Sequence, residues 1–134
     1  MMSSVPGVLL PMRSTLRWLM ATAAVSAAAA HIPVIAPHLN EAPYMGVLFI
    51  LLTIACIALA LAAITYDAPL VYLAAATICG LTIIGYAATR LVAFPMLADD
   101  VGNWLEPLGV VSIVAETVVV ASSIAALRCR RLVK

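Results

Sequence analysis

Charged residues are scarce in this sequence, and their scarcity limits the environment that the chain can occupy. Lys, Arg, Asp and Glu supply 10% of the 134 residues, whereas 66% of the residues are apolar. A soluble domain is normally about half apolar and about a quarter charged. Too few charges remain to cover a surface that water touches on every side, so the composition predicts a protein embedded in lipid.

Motifs of common soluble functions are missing as well. The sequence contains no glycine-rich phosphate loop, no GxSxG turn and no CxxC or HExxH metal motif. A formal net charge of +1 without a basic stripe argues against a nucleic-acid partner. Whether the chain is an enzyme is left uncertain, and a non-enzymatic role is the better prediction.

Long apolar runs make up most of the chain. A helix needs about 20 mainly apolar residues to cross the hydrocarbon of a bilayer. Four runs reach or approach that length: 16–36, 44–65, 70–94 and 108–127. They are too long for membrane strands and do not alternate. We predict an all-α fold, a four-helix transmembrane bundle that forms a single membrane domain over residues 1–134.

Prolines mark the starts of three predicted helices. Pro43, Pro69 and Pro107 suit a first helical turn, where a missing N–H costs nothing. Three connections result: 37–43, 66–69 and 95–107. Because the middle connection is short, the second and third helices should form an antiparallel hairpin.

Basic residues gather at both ends of the chain: Arg13, Arg17, Arg128, Arg130, Arg131 and Lys134. Cytoplasmic flanks of membrane spans collect Lys and Arg. An even number of spans puts both termini on one side, so span count and charge agree on cytoplasmic termini. We predict a multi-pass protein of the cell inner (plasma) membrane, with the lipid bilayer as its first partner.

The first apolar run has a second interpretation. Arg13 and Arg17, a short apolar stretch and the small residues Ala28–Ala30 also match a signal peptide with its cleavage site. The run continues to Ile35, which favours a retained helix. Both alternatives stay open for residues 1–30.

Small residues on each run predict close contacts between helices, because membrane helices associate through close backbone approach. The residues are Ala24, Ala27 and Ala28, then Ala55, Ala58 and Ala62, then Ala76, Gly80 and Gly85, and finally Ala115, Ser122 and Ser123. Helix packing alone explains them.

Glu116 is the carboxylate that lies deepest in an apolar run. An ionised carboxylate at that depth costs several kcal/mol unless it is paired or hydrated. Apart from Arg17 at the edge of the first run, Arg90 is the one cation inside a run, so we predict an intramembrane Arg90–Glu116 pair. The pair either fixes helix register or belongs to a proton, ion or ligand path.

Imidazole and carboxylate groups also collect near the outer ends of the runs: His31, His38, Glu41, Asp99 and Asp100. Such groups together can hold a transition metal or a small ligand. Their spacing matches no strong metal motif, so a polar rim at the lipid headgroups is the alternative. No cofactor is strongly implied, and a transition metal is the one that this site would accept.

Two segments resemble a group of small four-span integral membrane proteins from actinobacteria. The segments are HLNEAPYMGVLF at 38–49 and DDVGNWLEPLGVVSIVAE at 99–116. The resemblance covers the outer loops and the helix starts. It implies four spans and a bacterial source, and it carries no activity with it, so no residue role follows.

Two functions therefore compete. The favoured one is a non-enzymatic accessory or structural component of a membrane complex, with another membrane protein or a second copy of this chain as partner. The alternative is a protein that binds a metal ion or small ligand at the extracytoplasmic rim of the bundle.

Overall fold

Four long helices account for nearly the whole structure. A computed structural model describes the backbone of residues 6–132 and the side chains of residues 11–132; Lys134 lies outside them. The helices are α1 (Pro6–Glu41), α2 (Pro43–Tyr66), α3 (Pro69–Leu91) and α4 (Pro107–Leu132), with a short 3₁₀ turn at Ala98–Asp100. All four are long and apolar enough to cross a membrane. The predicted all-α, four-helix membrane bundle is confirmed.

The first helix is longer than the sequence predicted. The connection expected over 37–43 does not form, because α1 continues through Pro33 and Pro37 to Glu41. Only Ala42 separates α1 from α2. A proline inside a helix removes one backbone hydrogen bond, but helices within membranes tolerate it when neighbouring groups satisfy the freed carbonyls. Proline therefore does not end this helix as it ends most soluble ones.

The third helix ends earlier than predicted, at Leu91 rather than near residue 94. Pro95 disfavours a helical backbone at the residue before it. The connection to α4 accordingly covers 92–106. Within it Gly102 has a φ of +79° and donates its N–H to the carbonyl of Arg90 at 2.9 Å. A side chain at that φ would be strained, so the turn requires glycine.

The helices alternate in direction. α1 packs mainly on α2 and α4, and α3 packs mainly on α4, whereas α2 and α3 contact each other much less. The short turn therefore connects α2 and α3 as the expected hairpin, but the two helices pack on each other only weakly. The part of α1 before Ala30, which the sequence also allowed as a leader, holds the buried residues Met20, Ala24 and Ala27.

The small residues that the sequence indicated are buried on two of the four helices. Those of α1 and α4 are buried as expected: Ala24, Ala27, Ala28, Ala115, Ser122 and Ser123. On α2 the buried face carries Cys56, Leu59, Ala60 and Ala63 instead. On α3 an added methyl group at Gly80 or Gly85 would meet nothing within 4 Å. Small size permits close approach, but position on the helix decides whether it occurs.

The bundle has two chemically different ends. We call one the Asp67 end; it contains the start of α1, the α2–α3 turn and the end of α4. We call the other the Asp100 end; it contains the α1–α2 junction and the connection 92–106. The polar groups between and at these ends define the candidate site.

Candidate functional site

Glu116 lies in the middle of the bundle without access to solvent. Its side chain is 0% exposed, and it is the tenth residue of α4. A rise of 1.5 Å per residue places it about 14 Å from the start of the helix, near the centre of a hydrocarbon layer about 30 Å thick. Neither carboxyl oxygen forms a hydrogen bond of normal geometry among residues 11–132. A buried carboxyl group in this condition is costly unless something else compensates for it.

His31 of α1 supplies that compensation. Its Nε2 lies 3.2 Å from Glu116 Oε1, close enough for an ion pair, and His31 is itself 2% exposed. The same Nε2 lies 2.8 Å from the hydroxyl oxygen of Ser112, which precedes Glu116 by one turn of α4. Nδ1 of the ring is buried without a partner among residues 11–132. Histidine, serine and glutamate thus form one cluster, which we call the core cluster.

The core cluster can hold a proton without carrying net charge. A neutral imidazole beside a protonated carboxyl group and an imidazolium beside a carboxylate contain the same number of protons. The two arrangements differ only in which residue carries the shared proton. Because a net charge is expensive at this depth, both are favoured over states with one proton more or fewer. Ser112 can donate its hydroxyl hydrogen to Nε2 or accept one from it.

Every helix contributes a residue to the surroundings of Glu116. Beside His31 of α1, the buried thiols of Cys56 on α2 and Cys79 on α3 lie near each other and near the Glu116 carboxyl group. All three cysteines are free, and these two are fully buried. A change of charge at Glu116 is therefore felt at the contact of all four helices.

Arg90 has a different partner from the one that the sequence predicted. It lies at the end of α3, where its Nη1 is 3.0 Å from the Asp100 carboxylate and 3.3 Å from the Asp100 carbonyl. Its guanidinium also stacks over the Tyr86 ring at 4.5 Å. The expected Arg90–Glu116 pair is not formed, because Glu116 pairs with His31 deeper in the bundle. The sequence alone did not give the depth of Arg90 relative to Glu116, because that depth depends on where α3 ends.

The five residues proposed for a rim site do not come together as one group. His31 faces the core cluster, and Asp100 pairs with Arg90. The His38 Nδ1 lies 2.8 Å from the Val34 carbonyl of its own helix, while Glu41 and Asp99 are exposed. Among the described residues no group of three or more His, Cys, Asp or Glu side chains is placed to hold a metal ion.

A second carboxylate cluster closes the opposite end. Asp67, in the α2–α3 turn, lies 3.5 Å from Arg13 of α1 and 3.0 Å from Arg130 of α4, and Tyr72 of α3 donates a 2.6 Å hydrogen bond to it. One carboxylate thus joins all four helices. Partial burial acts to raise the pKa of Asp67, but the Tyr72 hydrogen bond and the two guanidinium groups outweigh it and hold the pKa below its usual value.

No protein-family model, curated protein or solved structure matches this chain. The functional argument therefore depends on the geometry alone. Sequence reasoning found Glu116 and His31 separately but missed their contact and the part of Ser112. One signal was available: Ser112 and Glu116 are four residues apart, and His31 lies ten residues before the end of α1, at a similar depth.

Proposed function

We propose that this chain is a non-enzymatic membrane component that binds and releases a proton at the core cluster of His31, Ser112 and Glu116. One observation carries the proposal: a fully buried carboxyl group in mid-bundle whose nearest polar partner is an imidazole. Ionisable groups inside membranes are rare and expensive, and they commonly belong to proton or ion pathways. Imidazole and carboxyl groups are also the side chains that exchange protons most readily near neutral pH.

The geometry favours a proton over a metal ion as the bound species. A transition metal is normally held by three or more ligands. The core cluster offers one ring nitrogen and one carboxyl group, with a hydroxyl group between them. Gain or loss of one proton changes the net charge of the cluster, and the low dielectric of the surroundings makes that change strong enough to alter helix packing.

Carbon NMR of the three glutamates tests this proposal directly. The protein, reconstituted in lipid nanodiscs with ¹³C at the glutamate carboxyl position, gives signals from Glu41, Glu106 and Glu116. Glu116→Gln assigns the Glu116 signal by its loss, and the other two glutamates serve as internal references at the membrane surface. We expect any change of the Glu116 carboxyl signal with pH to be accompanied by a change in the ¹⁵N signals of His31, because the two side chains are in contact.

A His38→Ala variant is the matched control, because His38 lies on the same helix as His31 but bonds to a carbonyl of that helix. It should leave the Glu116 titration unchanged, whereas His31→Ala should move it. The proposal fails if the Glu116 signal stays constant across the accessible pH range, or if it changes without any change in the ¹⁵N signals of His31.

We further propose a bacterial plasma membrane and cytoplasmic termini. Five described arginines lie at the Asp67 end and one at the Asp100 end, which holds four of the six carboxylates. The excess of arginine is typical of a cytoplasmic face. A reporter fused after Lys134 that is active only in the cytoplasm should be active, and an inactive fusion would reverse the orientation.

The role within the membrane is proposed as that of an accessory component of a larger complex. The small size of the chain supports this role. Its described residues form one bundle of four helices, and the core cluster is the one buried polar group in it that we propose responds to protons. Crosslinking in native membranes should give one defined heteromeric or homomeric product. A purely monomeric chain under those conditions would contradict the accessory role without touching the proton site.

A further inference from the structure

The arginines at the Asp67 end outnumber the carboxylates available to them. Asp67 is the one described carboxylate at this end, and it is shared by Arg13 and Arg130. Three further arginines lie here: Arg17 on α1, and Arg128 and Arg131 on α4. Since one carboxylate cannot neutralise five guanidinium groups, this end carries a positive surplus that needs an anionic partner.

Among these arginines, Arg17 most clearly lacks a partner for its charge and its N–H groups. No carboxylate among residues 11–132 lies within 4 Å of it, and its Nε is buried without a hydrogen-bond partner. The ring of the adjacent Trp18 lies 6.0 Å from its guanidinium carbon. A guanidinium presents five N–H donors in a planar fork that matches the oxygens of a phosphate.

The depth of Arg17 places it at the lipid headgroups. It lies 24 residues before Glu41 on one continuous helix, a length of about 36 Å, slightly more than the hydrocarbon thickness of about 30 Å. Trp18 is 51% exposed and Tyr66 is 72% exposed at the same end. Exposed Trp and Tyr typically mark the headgroup level. The free donors of Arg17 therefore lie where lipid phosphates lie.

We propose that Arg17 binds the phosphate of an anionic phospholipid at the Asp67 end, with Arg128 and Arg131 adding to the attraction. The opposite end has the reverse balance of charge, because it contains a single arginine and four carboxylates, Glu41, Asp99, Asp100 and Glu106. Anionic lipid is attracted to clusters of basic residues beside a membrane helix, whereas zwitterionic lipid is not. The site is independent of the proton-binding core cluster.

The two tryptophans allow each end to be tested separately. Trp18 reports the Asp67 end in a Trp104→Phe protein, and Trp104 reports the Asp100 end in a Trp18→Phe protein. Each protein is reconstituted in vesicles that contain brominated phosphatidylglycerol or brominated phosphatidylcholine, whose bromines quench nearby tryptophan. We expect phosphatidylglycerol to be enriched around Trp18 and not around Trp104.

Arg17→Gln should reduce the enrichment at Trp18 about fivefold, since one basic residue near the membrane contributes about that factor. Arg128→Gln removes the same charge from an exposed position and should reduce it less. Should Arg17→Gln fail to fold, sodium chloride added to the Trp104→Phe protein replaces it and should weaken the enrichment.

Three results would overturn the proposal. Equal quenching of Trp18 by the two lipids would show that anionic lipid is not selected. An equal loss in Arg17→Gln and Arg128→Gln would show a diffuse charge effect with no site at Arg17. Displacement of the lipid by millimolar inorganic phosphate would identify free phosphate as the ligand.

Discussion

Glu116 and Asp67 are carboxylates with cationic or protonatable partners, but they lie in opposite surroundings. Asp67 is 32% exposed and has two arginines and a tyrosine hydroxyl around it. Glu116 is fully buried and has one histidine. Solvent reaches the Asp67 carboxylate and helps to stabilise it, whereas the Glu116 side chain has no solvent-exposed surface. The carboxylate with fewer partners is therefore the costlier one, and we regard it as the functional one.

The Asp100 end is intermediate between these two cases. Arg90 is buried but has a carboxylate, a carbonyl and an aromatic ring as neighbours. The carboxylate and the carbonyl both belong to Asp100 of the connection 92–106, so the pair ties that connection to the end of α3. The three clusters show that burial and number of partners vary independently.

The largest effect is expected in the core cluster. His31→Leu leaves Glu116 without its partner and should lower the free energy of unfolding by about 3 kcal/mol. His31→Leu combined with Glu116→Leu removes both polar groups and should recover most of that loss. Unfolding in detergent micelles measures both. If the double variant loses the sum of the two single variants, the two residues do not act as a pair.

Replacement by alanine should have opposite effects at Gly109 and Gly80, because the space beside the two glycines differs. A methyl group at Gly109 would lie 2.8 Å from the Tyr86 ring and 2.9 Å from the Glu106 carboxylate, whereas one at Gly80 meets nothing within 4 Å. Gly109→Ala should cost about 1–3 kcal/mol. Gly80→Ala should be neutral or stabilising by up to about 1 kcal/mol through helix propensity. Equal thermal shifts for the two variants would contradict the placement of α3 against α4.

Asp67→Asn should have a smaller effect that depends on pH. Half-exposed ion pairs contribute about 1 kcal/mol or less at neutral pH. Because the folded-state pKa of Asp67 is lowered, its contribution is complete above the unfolded pKa of about 3.9 and is lost as the pH falls below it. The difference in melting temperature between the two proteins should therefore narrow from pH 5 to about pH 3. A difference in melting temperature that widens on acidification would contradict a lowered pKa of Asp67 in the folded state.

His38→Ala should have the smallest effect, below about 1 kcal/mol. The His38 ring bonds to a carbonyl within α1 and meets the Phe49 ring edge-on at 4.8 Å, so its loss breaks no polar contact between helices. Thermal unfolding compared with His31→Ala measures the difference. A larger loss for His38→Ala than for His31→Ala would show that the rim histidine, and not the buried one, is the more important of the two.

The sequence could predict the helices because each one depends on local properties. Four apolar runs of spanning length, three of them started by a proline, give element type and number. The errors at the end of α1 and the end of α3 both involve proline. Whether a proline ends a helix depends on what its neighbours offer to the freed carbonyl groups, and that information is not local.

The site could be predicted only in part, since it needs pairs of residues rather than single ones. A carboxylate in an apolar run is conspicuous and identifies Glu116, but the sequence indicated Arg90 as its partner and assigned His31 to the rim site. Asp67 was passed over because a carboxylate before a helix start has an adequate local explanation. The joining of all four helices by this residue follows from the bundle alone.

By itself, the amino-acid sequence determined that this protein consists of membrane helices, because lipid requires long apolar runs with internally satisfied backbones. It also determined the charge difference between the two ends. Only the tertiary structure decided that α1 packs mainly on α2 and α4, that His31 and not Arg90 meets Glu116, and that Arg17 lacks a carboxylate partner among the described residues. Partner choice depends on helix rotation and depth, which side chains from all four helices set together.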